Sequence, residues 1–254
     1  MLPIPFNPKL KIFNLCHLLG FGYHRSTDDY LVVSISYDSI INSSYLEFFS
    51  LRDSTWKQID EGTNFPYMSA NGDHIFGLLL NGSINWLAYH NDLGKRVIVA
   101  FDLIERKPLE MPLPDDFDGA AAYCNLWVFG ECLSFWAMQE GTYKTEIWVM
   151  KQYKLNSSWT KTLIHDDVRT WCFYPICSTK SGGIVGTDGN LGLVKYNDKG
   201  QCLEGCSYFV YQNGFQIVMH LESLLSLLPD REQVDENDTN MKNEVLKYSP
   251  SPFS

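Results

Sequence analysis

Apolar residues come in short bursts along this chain, alternate with polar ones, and are cut at short intervals by turn-forming residues. That is the signature of half-buried β-strands joined by hairpins. "GFGYHRSTDDYLVVSISY", beginning at Gly20, runs through aromatic residues into a polar turn at Arg25 to Asp29 and leaves as a β-branched strand. Asp and Ser favour such turns by bonding their own backbone, so this segment is read as a hairpin tip and not as a catalytic loop. "IFGLLLNGSINWLAYH" turns at Asn81-Gly82, "LWVFGECLSFWAM" at Gly130-Glu131 and "GGIVGTDGNLGLVKY" at Asp188-Gly189. Asn-Gly is a favoured dipeptide of the tight two-residue hairpin turn.

Each of these hairpins is followed by a second. The four followers are "YLEFFSLRDSTWKQI", "VIVAFDLIERKPLEMP", "IWVMKQYKLNSSWTKTL" and "LGLVKYNDKGQCLEG". Aromatic-x-Leu anchors at Phe49, Phe101 and Tyr153 lie 52 residues apart, twice, and Tyr196 takes the aromatic place in a weaker fourth copy. Two hairpins per unit, at a period of roughly 40 to 55 residues, match the blade of a β-propeller. Trp86, Trp136 and Trp148 fall in the strands, and Trp56 and Trp159 where a strand restarts; all five are expected in blade cores.

Composition adds little to this architecture but removes several functions. The chain has 254 residues, 45% hydrophobic and 20% charged, with a formal charge of −10. No Lys/Arg-rich run is present, so no nucleic-acid partner is expected. No apolar run reaches about 18 residues, so no membrane partner is expected either. The opening "MLPIPFNPKLKIFNL" is broken by prolines and makes a poor export signal. Seven cysteines, an odd number set mostly in strand-like runs, are read as reduced and buried, which places the chain in the cytoplasm or nucleus. Without an export signal, the sequons at Asn42, Asn81, Asn156 and Asn237 are read as turn chemistry.

There is no phosphate-binding glycine loop, no nucleophile elbow and no zinc-type His or Cys pairing. His165-Asp166-Asp167 has the residue types of a base with its orienter, but neighbouring side chains at a strand end diverge. Asp28-Asp29 and Asp115-Asp116 are read as polar loop pairs. No catalytic, cofactor or metal residue is assigned. Partner contact is expected on the loops Tyr37 to Tyr45, Asn64 to Asp73, Gln139 to Lys144 and Thr179 to Gly183, because scaffolded loops carry recognition.

In order along the chain, "GFGYHRSTDDYLVV", "YLEFFSLRDSTWKQI", "LLLNGSINWLAYH", "IVAFDLIERKPLEMPLP", "EIWVMKQYKLNSSWTKTL" and "MHLESLLSL" resemble the motif series of plant F-box-associated domains. His24, Arg25, Leu31 and Asn85 depart from the usual residues of that pattern. The resemblance implies an all-β, kelch-like β-propeller or incomplete propeller of about four four-stranded blade-like units. Three segments are expected: an irregular stretch over 1–17, the β-repeat domain over 18–228, and a disordered acidic tail over 229–254. "HLESLLSLLPD" before the tail is expected as a last strand, with a short helix as the alternative.

By the same resemblance the chain is a non-enzymatic protein-binding module. It would be the substrate-recognition part of a Skp–cullin–F-box ubiquitin ligase, directing an unidentified target to degradation. A Skp-type adaptor and cullin are implied only where the full-length product carries an F-box. No F-box motif precedes the GFGY stretch here, so a fragment or truncated gene model is expected. An adaptor-free decoy that binds the target without recruiting the ligase is the first alternative. A propeller enzyme or carbohydrate-binding module is the second.

Overall fold

A computed structural model describes residues 17–38, 43–59, 65–70, 75–119, 121–139, 144–163, 173–187 and 192–207. All of them lie in one compact unit, Met1–Phe209. The expected segments 229–254 and most of 1–17, the cluster at His165 and the strand after His220 fall outside the described residues.

The described chain is β-structure throughout, apart from one 3-10 turn at Asn156–Ser158. Sheet 1 is built from β1 (His17–His24), β2 (Asp29–Asp38), β3 (Ser43–Ser50) and β4 (Thr55–Gln58). Sheet 2 has a broken first strand, β5 (Tyr67–Ser69) and β7 (Leu78–Leu80), with β6 (Ile75–Phe76) between them. It continues with β8 (Ser83–His90), β9 (Lys95–Asp102) and β10 (Lys107–Met111). Sheet 3 is β11 (Ala121–Phe129), β12 (Cys132–Gln139), β13 (Thr145–Met150) and β14 (Trp159–Leu163). Sheet 4 is β15 (Tyr174–Ser178), β16 (Ile184–Thr187), β17 (Gly192–Tyr196) and β18 (Cys202–Ser207). In each sheet consecutive strands pair antiparallel, so the expectation of four four-stranded units is met.

Alternation of side chains across the pleat decides how the sheets stack. Leu31, Val33 and Ile35 of sheet 1 pack on Ile84, Trp86, Val99 and Phe101 of sheet 2 in the first core. Leu87, Ile98 and Ala100, on the opposite face of sheet 2, pack on Leu133, Phe135 and Trp148 of sheet 3. Trp136, Ile147 and Val149 then meet Ile184, Val194 and Tyr196 of sheet 4 and Phe173 just before β15. Three cores serve four sheets, and none among the described residues joins sheet 4 back to sheet 1.

Three expectations need correction. The fourth unit is displaced by one strand: its first hairpin is β15–β16, and the Asp188-Gly189 segment joins its second and third strands. The anchors Phe49 and Phe101 each sit one residue before a strand end, but Tyr153 lies beyond Met150 in a longer connection. Its hydroxyl donates to Asn85 Oδ1 at 2.8 Å, a bond between sheets 3 and 2. Asp28 is in the turn, but Asp29 belongs to β2 and is buried.

Asp29 is a structural anchor. Ser50 Oγ donates to its Oδ2 at 2.6 Å and the Arg52 N–H to its Oδ1 at 2.9 Å, locking the β1–β2 turn to the β3–β4 turn. Arg52 Nη1 adds a bond to the Thr27 carbonyl at 2.6 Å. A buried carboxylate persists only when such donors surround it.

Candidate functional site

Antiparallel connectivity sorts the loops onto two rims. Turns joining first to second and third to fourth strands share one rim, and the remaining connections share the other. Thr179–Gly183, one of the four expected contact loops, is fully described and lies on the first rim. Its turn is closed by Thr179 N–H to the Gly183 carbonyl at 2.8 Å and Gly183 N–H to Thr179 Oγ1 at 2.9 Å. Beside it, between sheets 3 and 4, is a cavity of about 220 Å³ over Phe129, Ile147, Val149 and Ile184, with Asn197 and Asp198 at its mouth.

Of the other three expected loops, Tyr37 to Tyr45 and Gln139 to Lys144 are described only at their ends, and Asn64 to Asp73 only over 65–70, where Tyr67–Ser69 is strand β5 and not loop; all three belong to the opposite rim. There the Ser44 N–H donates to the Phe65 carbonyl at 2.7 Å and Ser44 Oγ donates to the Tyr67 carbonyl, which brings the first two loops together. Tyr67 donates to Glu110 Oε2 at 2.6 Å, and His90 Nε2 is 3.7 Å from the same oxygen. Burial, then the Glu110 bond, push the Tyr67 phenol far above its ordinary value. The neutral Tyr67 phenol bonded to Glu110 ties β5 to β10, so this cluster is a brace between strands. Among the described residues, no three His, Cys, Asp or Glu side chains group as metal ligands. Cys124 is buried, Cys132 and Cys177 are half-buried, and Cys202 is exposed on the outer strand of sheet 4; all four are free thiols.

Among the described residues, a cluster of exposed aromatic side chains lies on the face of sheet 1 that turns away from sheet 2. Phe21 is 54% exposed, Tyr23 38%, Tyr30 46% and Phe76 79%. Phe21 stacks on Tyr30 with centroids 5.5 Å apart and planes at 8°, and Tyr23 tilts against Tyr30 at 4.8 Å. Asp28 Oδ1 accepts the Tyr23 hydroxyl at 2.6 Å, and this bond raises the phenol's pKa. Phe76 joins the group through β6, which leaves sheet 2 and pairs parallel with β1, Leu18 with Ile75 and Leu19 with Phe76. Monomeric proteins seldom expose a contiguous apolar patch of this kind without using it.

The sequence carries the cause of this face in the alternation Gly20-Phe21-Gly22-Tyr23. A Cβ on Gly20 would stand 2.5 Å from Ile84 Cγ2 and 2.8 Å from Trp86 Cζ2, and one on Gly22 would stand 2.6 Å from Leu103 Cδ1. Glycine lets β1 press close against sheet 2, while the intervening aromatics point the other way. Loop reasoning overlooked these residues because they lie within a strand.

The model of the family described as F-box associated beta propeller domain matches residues 7–251. An F-box/kelch-repeat protein of Arabidopsis thaliana is 28% identical over 145 residues, which cover 57% of this chain and 38% of that relative. The chain thus matches well under half the length of this curated relative.

Proposed function

The chain belongs to the F-box associated beta propeller domain family, and from that premise we propose that it is a non-catalytic recognition module that binds a target protein for a Skp–cullin–F-box ubiquitin ligase. Ubiquitin transfer is then the work of other subunits, and an adaptor and cullin are partners only where the full-length product carries an F-box. The cytoplasm or nucleus is the proposed site of action, in keeping with the four described free thiols. The observation that carries the recognition role is the exposed, charge-poor aromatic face of sheet 1 on an otherwise strongly acidic chain. Aromatic enrichment with charge depletion is the composition of protein-interface cores.

Affinity capture from plant extract with the 254-residue chain, read by quantitative mass spectrometry, tests this reading. A specifically retained protein whose ubiquitination falls in plants lacking the chain is the expected result. Retention of chaperones alone, or of a protein whose ubiquitination does not respond, overturns it.

A further inference from the structure

Among the described residues, the aromatic face borders an open sheet edge. Gly77 donates its N–H to the Leu19 carbonyl at 2.6 Å, so the Leu19 backbone points away from β2. Along an antiparallel strand those directions repeat every second residue, which turns the N–H and C=O groups of Phe21 and Tyr23 toward the same edge. β6 pairs only with Leu18 and Leu19, and among the described residues no strand continues that ladder. The innermost strand of sheet 3, β11, differs. Both faces of its sheet are covered, and its Trp127 indole donates to the Ile176 carbonyl of β15 at 3.0 Å.

We propose that the free edge of β1 takes an extended, uncharged segment of a partner protein by strand addition, with alternate apolar side chains laid along Phe76, Phe21 and Tyr23. The proposal rests on the recognition role above and names its surface. β6 is already a two-residue addition of this kind, with the Phe76 ring on the aromatic face, and the incoming segment continues its line. Area argues against a second copy of this chain. At about 200 Å² per aromatic side chain, the four rings expose roughly 400 Å². Two such patches together make about 800 Å², short of the roughly 1,200 Å² of stable association. An extended segment adds main-chain hydrogen bonds to the same side-chain area. The charge pattern selects an uncharged occupant: of the two acidic side chains described on this face, Glu47 is buried, and Asp28 lies in the turn at its end with Oδ1 held by the Tyr23 hydroxyl.

The test uses the full chain and a phage-displayed library of nine-residue peptides, with hydrogen exchange read at single amides. Selected peptides are expected to carry apolar residues at every second position. The Phe21 and Tyr23 amides should exchange rapidly in the free protein and slow by at least about tenfold when such a peptide is bound. N-methylation of the peptide's central edge-facing amide should abolish binding, a readout that does not depend on refolding any variant. Amides already protected in the free protein would mean that its own residues or a second copy hold the edge, and would overturn the proposal. So would selected peptides that protect other strands, or an empty selection. A captured target that binds a folded Phe21→Ser/Tyr23→Ser variant undiminished would end this proposal and leave the recognition role standing. Peptide protection of β1 with no ubiquitination-responsive target would do the reverse.

Discussion

Sheets 1 and 3 have the same strand order and are stabilised in opposite ways. In sheet 3 every residue of β13 and Leu133 to Met138 of β12 are buried, because sheets 2 and 4 cover its two faces. In sheet 1 one face builds a core and the other displays Phe21, Tyr23 and Tyr30 to solvent, while Ser34, Ser36, Glu47 and Phe49 on that same face are buried. The first arrangement spends its aromatic residues on packing; the second leaves them available for contact. Position in the stack, and not strand chemistry alone, decides which sheet can bind.

The sharpest way to break this contrast is to truncate one ring in each sheet. Phe135 is fully buried, edge-on to Phe117 at 4.9 Å and tilted against Trp148 at 5.5 Å. Phe135→Ala is expected to cost about 3 to 5 kcal/mol, through lost contacts and the cavity left behind. Phe21→Ala should move stability by no more than about 0.5 kcal/mol while removing any function of the aromatic face. Chemical denaturation of both variants measures the difference; equal losses would mean that the outer face of sheet 1 is covered in solution.

Gly20→Ala attacks the side of sheet 1 that does pack. Its new methyl meets Ile84 and Trp86 inside the first core, so the expected loss is about 1 to 3 kcal/mol by overpacking. A thermal melt decides it. An unchanged melting temperature would show that sheets 1 and 2 can separate slightly at no cost.

The two sheets also differed in how much of them could be read from sequence. Runs such as "CLSFWAM" and "EIWVM", apolar at nearly every position, announce strands buried on both faces. The alternation of Gly20 and Gly22 is just as visible, but its reason lies in Ile84, Trp86 and Leu103, far along the chain, so no local rule supplies it. The displaced fourth unit has a local cause. Pro175 argues against a strand, yet β15 is an edge strand of its sheet, where a missing N–H is tolerated, and its register shifts between Pro175 and Cys177. Asp29 was hidden by its neighbour: two adjacent acids look like one polar turn until the pleat sends them to different environments. The aromatic face was legible as strand residues and illegible as a surface, because exposure depends on what covers the sheet.

Asp29→Ala tests a buried polar network that braces sheet 1 at the end of the stack. It leaves the Ser50 hydroxyl and the Arg52 N–H without their acceptor, and a loss of about 1 to 3 kcal/mol is expected. Hydrogen exchange should rise first in the two linked turns of sheet 1 while sheet 3 stays protected. Uniform loosening of all four sheets would show instead that the stack unfolds as one unit.

The smallest effect compares ion pairs at the two places. Lys154, in the β13–β14 connection, reaches Asp102 of sheet 2 at 3.2 Å, whereas Lys57 of β4 and Asp53 of the turn before it pair at 2.6 Å within a single hairpin of sheet 1. Burial opposes the Asp102 charge, but it is outweighed by the Glu105 and Ile104 N–H donors and the Lys154 ammonium, which hold the carboxyl below its ordinary 3.8. A depressed carboxylate stabilises the fold above its unfolded pKa, and that contribution disappears as pH falls through the folded value. Asp102→Asn keeps an oxygen for the two backbone donors and removes only the charge. At neutral pH it should cost about 0.2 to 1 kcal/mol. The gap to the parent should narrow as the pH drops through 3.8 and close below it. Asp53 is also depressed, chiefly by its hydrogen bond from Lys57, but both partners lie in one exposed hairpin and meet without help from the rest of the fold. Asp53→Asn should therefore shift the pH profile less than Asp102→Asn. The reverse order would mean that the covered boundary between sheets 2 and 3 owes nothing to this charge, and that its stability is entirely a matter of packing.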